Sequence, residues 1–223
     1  MSSLGGTPLF AGLGADALAA LESRAVRRRY RAGSVVFCQG EPGTRCYAIM
    51  SGAVKVSAFN PDGKEAVLAV LGPGDVFGEL ALFDEAPRSA DALVIETAEL
   101  LSLDRDDVTA AIEQYPQVSL ALLRILSRRL RRANEALQDA AFFDVAGRVA
   151  RRLADLADEH GAPGPEGTAI TVPISQESLA SMVGATRESV NKALANLGRR
   201  GLVSRRGRSY VVPDTQALRS RAR

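Results

Sequence analysis

Residues 77–90 read FGELALFDEAPRSA. A glycine, a carboxylate and an arginine stand around a short apolar run, which a plain surface turn does not need. Gly74, Asp75 and Gly78 make turns on either side of Val76 and Phe77 and deliver the chain into a short helix expected at residues 79–83. The first turn of a helix presents N–H groups without intrahelical acceptors and the positive end of the dipole, both favourable to an anion. Arg88, ten residues after Gly78 and held by Pro87, adds a planar donor fork suited to phosphate oxygens. Ser89 adds a hydroxyl. Glu79 repels a bare phosphate, so the ligand must also bring hydroxyl donors, as a ribose does. The parts together ask for a sugar phosphate.

Around this stretch, short β-rich runs at 35–38, 45–52, 53–59, 65–71, 90–96 and 99–103 are separated by Gly, Pro and Asp. That spacing predicts an antiparallel sandwich or barrel, preceded by a small helix over 15–21. After Asp104 the period changes. Pro116 suits the first turn of a helix. Leu123, Leu126, Leu130, Ala133, Leu137 and Ala140 then recur at steps of three and four, a heptad seam. Arg128, Arg129, Arg131 and Arg132 lie on the outer faces of this long helix and cannot all be buried. Its narrow apolar stripe needs a partner. A second copy of the chain is the simplest, and the chain's own β-domain is the alternative.

Asp144 opens a further helix with Val149, Leu153 and Leu156 on one face, ending at Gly161; residues 161–167 read as a loop and 169–172 as a short strand. Beyond them, ISQESLASMVGATRESVNKALANLGRRGLV (residues 174–203) has helix-turn-helix form. Ser175 caps the first helix, Gly184 supplies the turn, and Thr186 caps the second. In that second helix Val190, Leu194 and Leu197 face inward, leaving Arg187, Glu188, Asn191 and Lys192 on the polar side. Readers at the N-terminal end are where a recognition helix meets base edges. After Gly201 a two-stranded wing is expected with Gly207 at its tip, carrying Arg205, Arg206 and Arg208 toward a phosphate backbone. From residue 173 onward there are ten Lys/Arg against three Asp/Glu, a local +7 within a chain whose formal charge is +2. A basic end on an acidic body suits a polyanion.

The bulk numbers exclude other classes. At 223 residues the chain accommodates two modest domains. No apolar window approaches the ~20 residues a membrane-spanning helix needs, and the N-terminus lacks a basic segment followed by an apolar core. A cytoplasmic protein with no membrane partner is expected. Cys38 and Cys46 are too few for a disulfide framework and are expected as small apolar side chains in strands. His160, the single histidine, is expected to lie exposed at a helix end. It has no partner ligands in sequence, so neither metal nor haem is expected. No nucleophile–base pair or nucleotide-hydrolysing loop is visible, which argues against an enzyme.

The run at 77–90 closely resembles the phosphate-binding cassette of cyclic-nucleotide-binding domains. With the long helix, the run AFFDVAGRVA at 141–150 and the C-terminal module, the chain resembles the cyclic-AMP receptor protein and fumarate-nitrate regulator (Crp/Fnr) family of bacterial transcription factors over roughly residues 9–213. The resemblance implies an α+β fold. A β-roll (the cyclic-nucleotide-binding jelly roll) would occupy residues 1–115, a dimerisation helix and hinge 116–143, and a winged helix-turn-helix 144–223. It further implies that Glu79 accepts the ribose 2′-hydroxyl and that Arg88 and Ser89 hold the cyclic phosphate. The N–H groups of Leu80 and Ala81, delivered by Gly78, help neutralise it. Arg88→Leu is then expected to remove nucleotide affinity and leave the fold intact.

In cyclic-AMP-responsive members a threonine commonly meets the adenine at the position of Ala133. Alanine offers no hydroxyl there, although Asn134 beside it can donate and accept. Cyclic AMP is the favoured effector, with cyclic GMP behind it; the alternative is a family member that binds its operator without ligand. Base-reading positions align with Arg187, Glu188 and Lys192, while Ser189 and Asn191 fall to phosphate or flanking contacts and Thr186 joins the DNA face. The implied partners are a palindromic double-stranded operator, a second copy of the chain, and RNA polymerase. Iron–sulfur members use more cysteines than the two present here.

Overall fold

The computed structural model describes Gly5, residues 13–207 and residues 209–221. These fall into two compact units. One holds the described residues up to Ala58 together with Val70–Arg131, the other Phe59–Ala69 with the described residues from Arg132 onward.

From the N-terminal side, α1 (Ala15–Arg24) leads into β1 (Val26–Tyr30), β2 (Val35–Phe37), β3 (Arg45–Phe59), β4 (Glu65–Leu71), β5 (Val76–Phe77) and β6 (Asp91–Asp104), all in the first unit except the end of β3 and most of β4. The sheet runs β1-β6-β3-β4, with β2 added to β6 and β5 to β3. β6 is antiparallel to β1, β2 and β3. The sequence reads two runs around Gly52 and two more around Thr97, but the structure has single strands of 15 and 14 residues. Their ladder shifts register at Ile49/Ser51, Ser51/Ala53 and Ala53/Val54. Each bulge bends the strand and breaks the alternation of faces, so one strand reads as two. β1, with the sequence VRRRY, went unrecognised because it is exposed along almost its whole length. It is an edge strand guarded by charge.

The helices α2 (Leu80–Phe83) and α3 (Arg105–Gln114) follow β5 and β6 respectively. Leu21, Val76, Leu82, Leu101, Val108 and Leu122 gather α1, the sheet, α2, α3 and the first turns of α4 (Gln117–Phe142) into one core. α4 runs for 26 residues, a long helix as expected. Its first turns pack into the chain's own unit, but through residues outside the heptad seam. Val118, Ala121 and Leu122 are buried in the chain's own unit, whereas the seam residues Leu123, Leu130 and Leu137 are exposed. Cys46 lies buried in β3, where burial pushes its thiol up to about 12. Cys38 departs from the expectation: it is exposed, one residue past the end of β2.

In the second unit α5 (Val145–His160) begins as expected, with Asp144 accepting from the Gly147 N–H at 2.7 Å. The His160 imidazole is only 9% exposed, contrary to the exposed position expected for it. Its carbonyl accepts from both the N–H and the hydroxyl of Thr171. The segment read as a loop contains β7 (Gly161–Gly164), paired with β8 (Gly167–Ile170). Pro163 masked this strand, but β7 lies at the sheet edge, where a missing N–H breaks no ladder. The helices α6 (Gln176–Val183) and α7 (Arg187–Arg199) follow, then β9 (Ser204–Arg206), β10 (Ser209–Val212) and α8 (Thr215–Ser220). Their sheet runs β7-β8-β10-β9. Among the described residues no helix is long and apolar enough to cross a membrane.

Candidate functional site

In the first unit, β5 carries Val76 and Phe77 to Gly78, whose φ of +77° is open to glycine at little cost. A Cβ there would stand 2.7 Å from Arg88 Nη1, so the glycine also makes room for the arginine. Glu79 caps α2 with helical backbone angles, and its side chain is 0% exposed. One carboxylate oxygen, Oε1, accepts from Arg129 Nη1 at 2.5 Å, and Arg129 Nη2 donates to the Val76 carbonyl. The other, Oε2, is buried without a hydrogen-bond partner among the described residues.

Arg88 is 6% exposed. Its Nη1 donates to the Gly78 carbonyl and its Nη2 to the Arg45 carbonyl, both at 2.7 Å. Its Cζ lies 4.1 Å from the centroid of the Phe37 ring, within a cluster completed by Tyr47 and Phe77. Nε is buried and unpartnered among the described residues. Burial pulls the guanidinium below its ordinary value, against the opposing pull of Tyr47, Cys46, Glu41 and Glu79. A desolvated cation bonded only to neutral carbonyls is a strong attractor for an anion.

The structure thus gathers Gly78, Glu79, Ala81 and Arg88 in one place, with Leu80 and Ser89 exposed beside them. The N–H groups of Leu80 and Ala81 belong to the first turn of α2, where intrahelical acceptors do not exist. Arg105 Nη2 donates to the carbonyls of Gly43 (3.1 Å) and Ala81 (2.6 Å), fixing α2 against the neighbouring loop. Ala133 and Asn134 are exposed on α4 and belong to the second unit.

Sequence reasoning missed Arg129 and Arg105. Arg129 was one of four arginines on the outer faces of α4, and nothing in the run distinguished the one that reaches a buried carboxylate. Arg105 gave no local signal, because its acceptors lie 62 and 24 residues away in sequence.

The second unit builds the helix pair as expected. Ser175 Oγ accepts from the Ser178 N–H and Thr186 Oγ1 from the Ser189 N–H, at 2.9 and 3.2 Å. Gly184 ends α6 at φ +61°. Val190, Ala193 and Leu197 of α7 are buried, and Arg187, Glu188, Asn191 and Lys192 are exposed. Glu188 and Lys192 pair at 2.7 Å across one turn. Arg205 and Arg206 lie exposed on the wing strand β9; Arg208 lies outside the described residues.

Comparison with known proteins agrees with both halves. Residues 27–115 match the family described as cyclic nucleotide-binding domain, and residues 147–221 match the Crp-like helix-turn-helix domain. A CRP-like cAMP-activated global transcriptional regulator of Mycobacterium tuberculosis is 43% identical over 96% of this chain and 96% of its own length. The cyclic AMP receptor protein of Thermus thermophilus is 37% identical over 89% of this chain and 88% of its own. Among solved structures, the c-di-GMP responsive global regulator CLP of Xanthomonas campestris aligns with a TM-score of 0.75 at 29% identity, covering 90% of this chain and all of that one. These relatives are transcription regulators and not enzymes. From the cassette, the helix-turn-helix and these matches, the chain belongs to the Crp/Fnr family of transcription regulators, with a cyclic-nucleotide-binding domain followed by a Crp-like DNA-binding domain.

Proposed function

We propose that this protein is a homodimeric, sequence-specific transcription regulator whose grip on DNA is set by cyclic AMP. One observation carries the reading: two buried atoms of opposite type, both unpartnered among the described residues, sit in the same cassette, the acceptor Glu79 Oε2 and the donor Arg88 Nε. Each leaves a hydrogen bond unmade at a cost of about 1–3 kcal/mol. A ribose 2′-hydroxyl answers the first and a cyclic phosphate oxygen the second. Ser89 and the N–H groups of Leu80 and Ala81 complete the phosphate seat.

The base would meet Ala133 and Asn134, of which only Asn134 offers hydrogen bonds. The missing hydroxyl weakens adenine recognition by about tenfold or less. Cyclic GMP is the second candidate. Ligand at Glu79 and Arg88 biases the paired α4 helices and, through the hinge at Phe143 and Asp144, the spacing of two α7 helices in successive major grooves ~34 Å apart. A ligand shifts that balance only by its differential affinity for the two arrangements. In the cytoplasm such a dimer acts on a palindromic operator and on RNA polymerase.

A second reading has its own support. Glu79 already has Arg129, and Arg88 already has two carbonyls, so the cassette is partly satisfied from within. That arrangement favours a regulator that binds its operator without ligand. Calorimetric titration with cyclic AMP, cyclic GMP and cyclic di-GMP, followed by DNA-binding measurements with and without each, separates the two. Saturable cyclic AMP binding that raises DNA affinity supports the first reading. Binding to DNA that is indifferent to every nucleotide establishes the second.

A further inference from the structure

A cleft of about 460 Å³ runs between α7 and the wing. Asn191, Ser204, Arg205 and Tyr210 are among the polar residues that line it, and Leu194 and Val203 among the apolar ones. No carboxylate among the described residues lines it. Tyr210 is 2% exposed, and its hydroxyl is buried with no hydrogen-bond partner among the described residues. In the wing ladder Tyr210 stands directly opposite Arg205, so both side chains leave the hairpin on the same face. Arg205 Nε donates to the Gly207 carbonyl at 3.1 Å, which holds the guanidinium along that face.

A buried tyrosine hydroxyl normally finds a partner. Phenylalanine would fill the same space without the penalty, so the tyrosine at this position points to a partner from outside. With one fixed cation, several N–H and O–H donors and no anion among the described residues, the cleft suits a singly charged group with exposed oxygens.

We infer that the cleft between α7 and the wing seats one phosphodiester of the DNA backbone, and that Tyr210 donates its hydroxyl to it, directly or through an ordered water. Arg205 supplies the charge beside it. The seat rests on the DNA-binding reading and adds to it a neutral contact that fixes where α7 lies along the groove without reading a base.

The test uses the full-length protein with cyclic AMP and a duplex that it enriches from a randomised pool. Tyr210→Phe should lower affinity about tenfold, the scale of one hydrogen bond to a charged acceptor. The loss should be equal for the enriched duplex and for single-base variants of it. The slope of log affinity against log salt should not change, because a neutral hydroxyl displaces no counterion, whereas Arg205→Gln should reduce the slope by about one. The melting temperature of Tyr210→Phe should stay level or rise, so a folding defect cannot mimic the result. A methylphosphonate scanned along the duplex should find one position per half-site where wild type loses affinity and Tyr210→Phe loses nothing more. Equal binding by Tyr210→Phe and wild type overturns the seat and leaves the DNA-binding reading standing. A wild-type chain that enriches no duplex overturns both.

Discussion

Arg129 reaches from α4 to Glu79 and closes an ion pair at 2.5 Å on a carboxylate that is 0% exposed. The cassette and the long helix are thereby joined by a charge contact inside one unit. Removing the arginine strands a buried carboxylate, whose other oxygen already lacks a partner. Arg129→Met should lower stability by about 3 kcal/mol in chemical denaturation. Glu79→Gln, which removes the charge and keeps an acceptor, should cost less. Unchanged stability in Arg129→Met would show that the pair is not maintained in solution.

The expectation that Arg88→Leu leaves the fold intact needs revision. Arg88 holds the Gly78 and Arg45 carbonyls and stacks on Phe37, so the substitution orphans two acceptors. We expect a stability loss of about 1–3 kcal/mol together with the loss of nucleotide affinity. Arg88→Lys keeps the charge but not the planar fork, and calorimetry should show at least a tenfold weaker complex. Wild-type affinity in the lysine variant would reduce the guanidinium to a point charge.

Leu130 and Leu137 are 64% and 70% exposed in the single chain and lie seven residues apart on one stripe of α4. In the proposed dimer this stripe would close against a second copy. Leu130→Asp with Leu137→Asp should shift sedimentation from dimer to monomer. A monomeric wild type would instead show that the stripe does not serve self-association.

Arg187 stands exposed at the first position of α7. Arg187→Ala should lose about 1–3 kcal/mol at one base pair per half-site and relax preference there, as read by selection from a randomised duplex pool. A loss uniform across sequences would make it a backbone contact.

Glu159 ends α5 among charges from two helices: Arg132 of α4 at 2.9 Å, with Arg152, Asp155 and His160 of α5. Burial holds its carboxyl above the ordinary 4.5, although Arg132, Arg152 and His160 pull the other way. A carboxyl raised in the folded state favours folding most when protonated. Its contribution is full below pH 4.5 and is lost as pH rises through the higher folded value. Glu159→Gln should therefore match wild type near pH 4.5 and become relatively more stable toward neutral pH. The Arg132 contact it gives up is half-exposed and worth about 0–1 kcal/mol. Thermal melts at the two ends of that range check the sign.

Local chemistry made much of this protein legible. Turn residues at fixed offsets delimited the cassette, capping residues Ser175 and Thr186 marked two helix starts, and the three-and-four spacing of leucines and alanines marked α4 as a long helix. These signals are short-range, because a cap, a turn or a helical stripe is decided within a few residues of itself. The register shifts in β3 and β6, by contrast, are set by a partner strand tens of residues away. They defeated a reading based on alternation. The partners of the functional side chains also came only with the tertiary structure. Which of four arginines finds Glu79, which carbonyls hold Arg88, and that Tyr210 keeps a buried hydroxyl without a partner all depend on segments distant in sequence, and a single chain read in order carries no record of what lies across a fold.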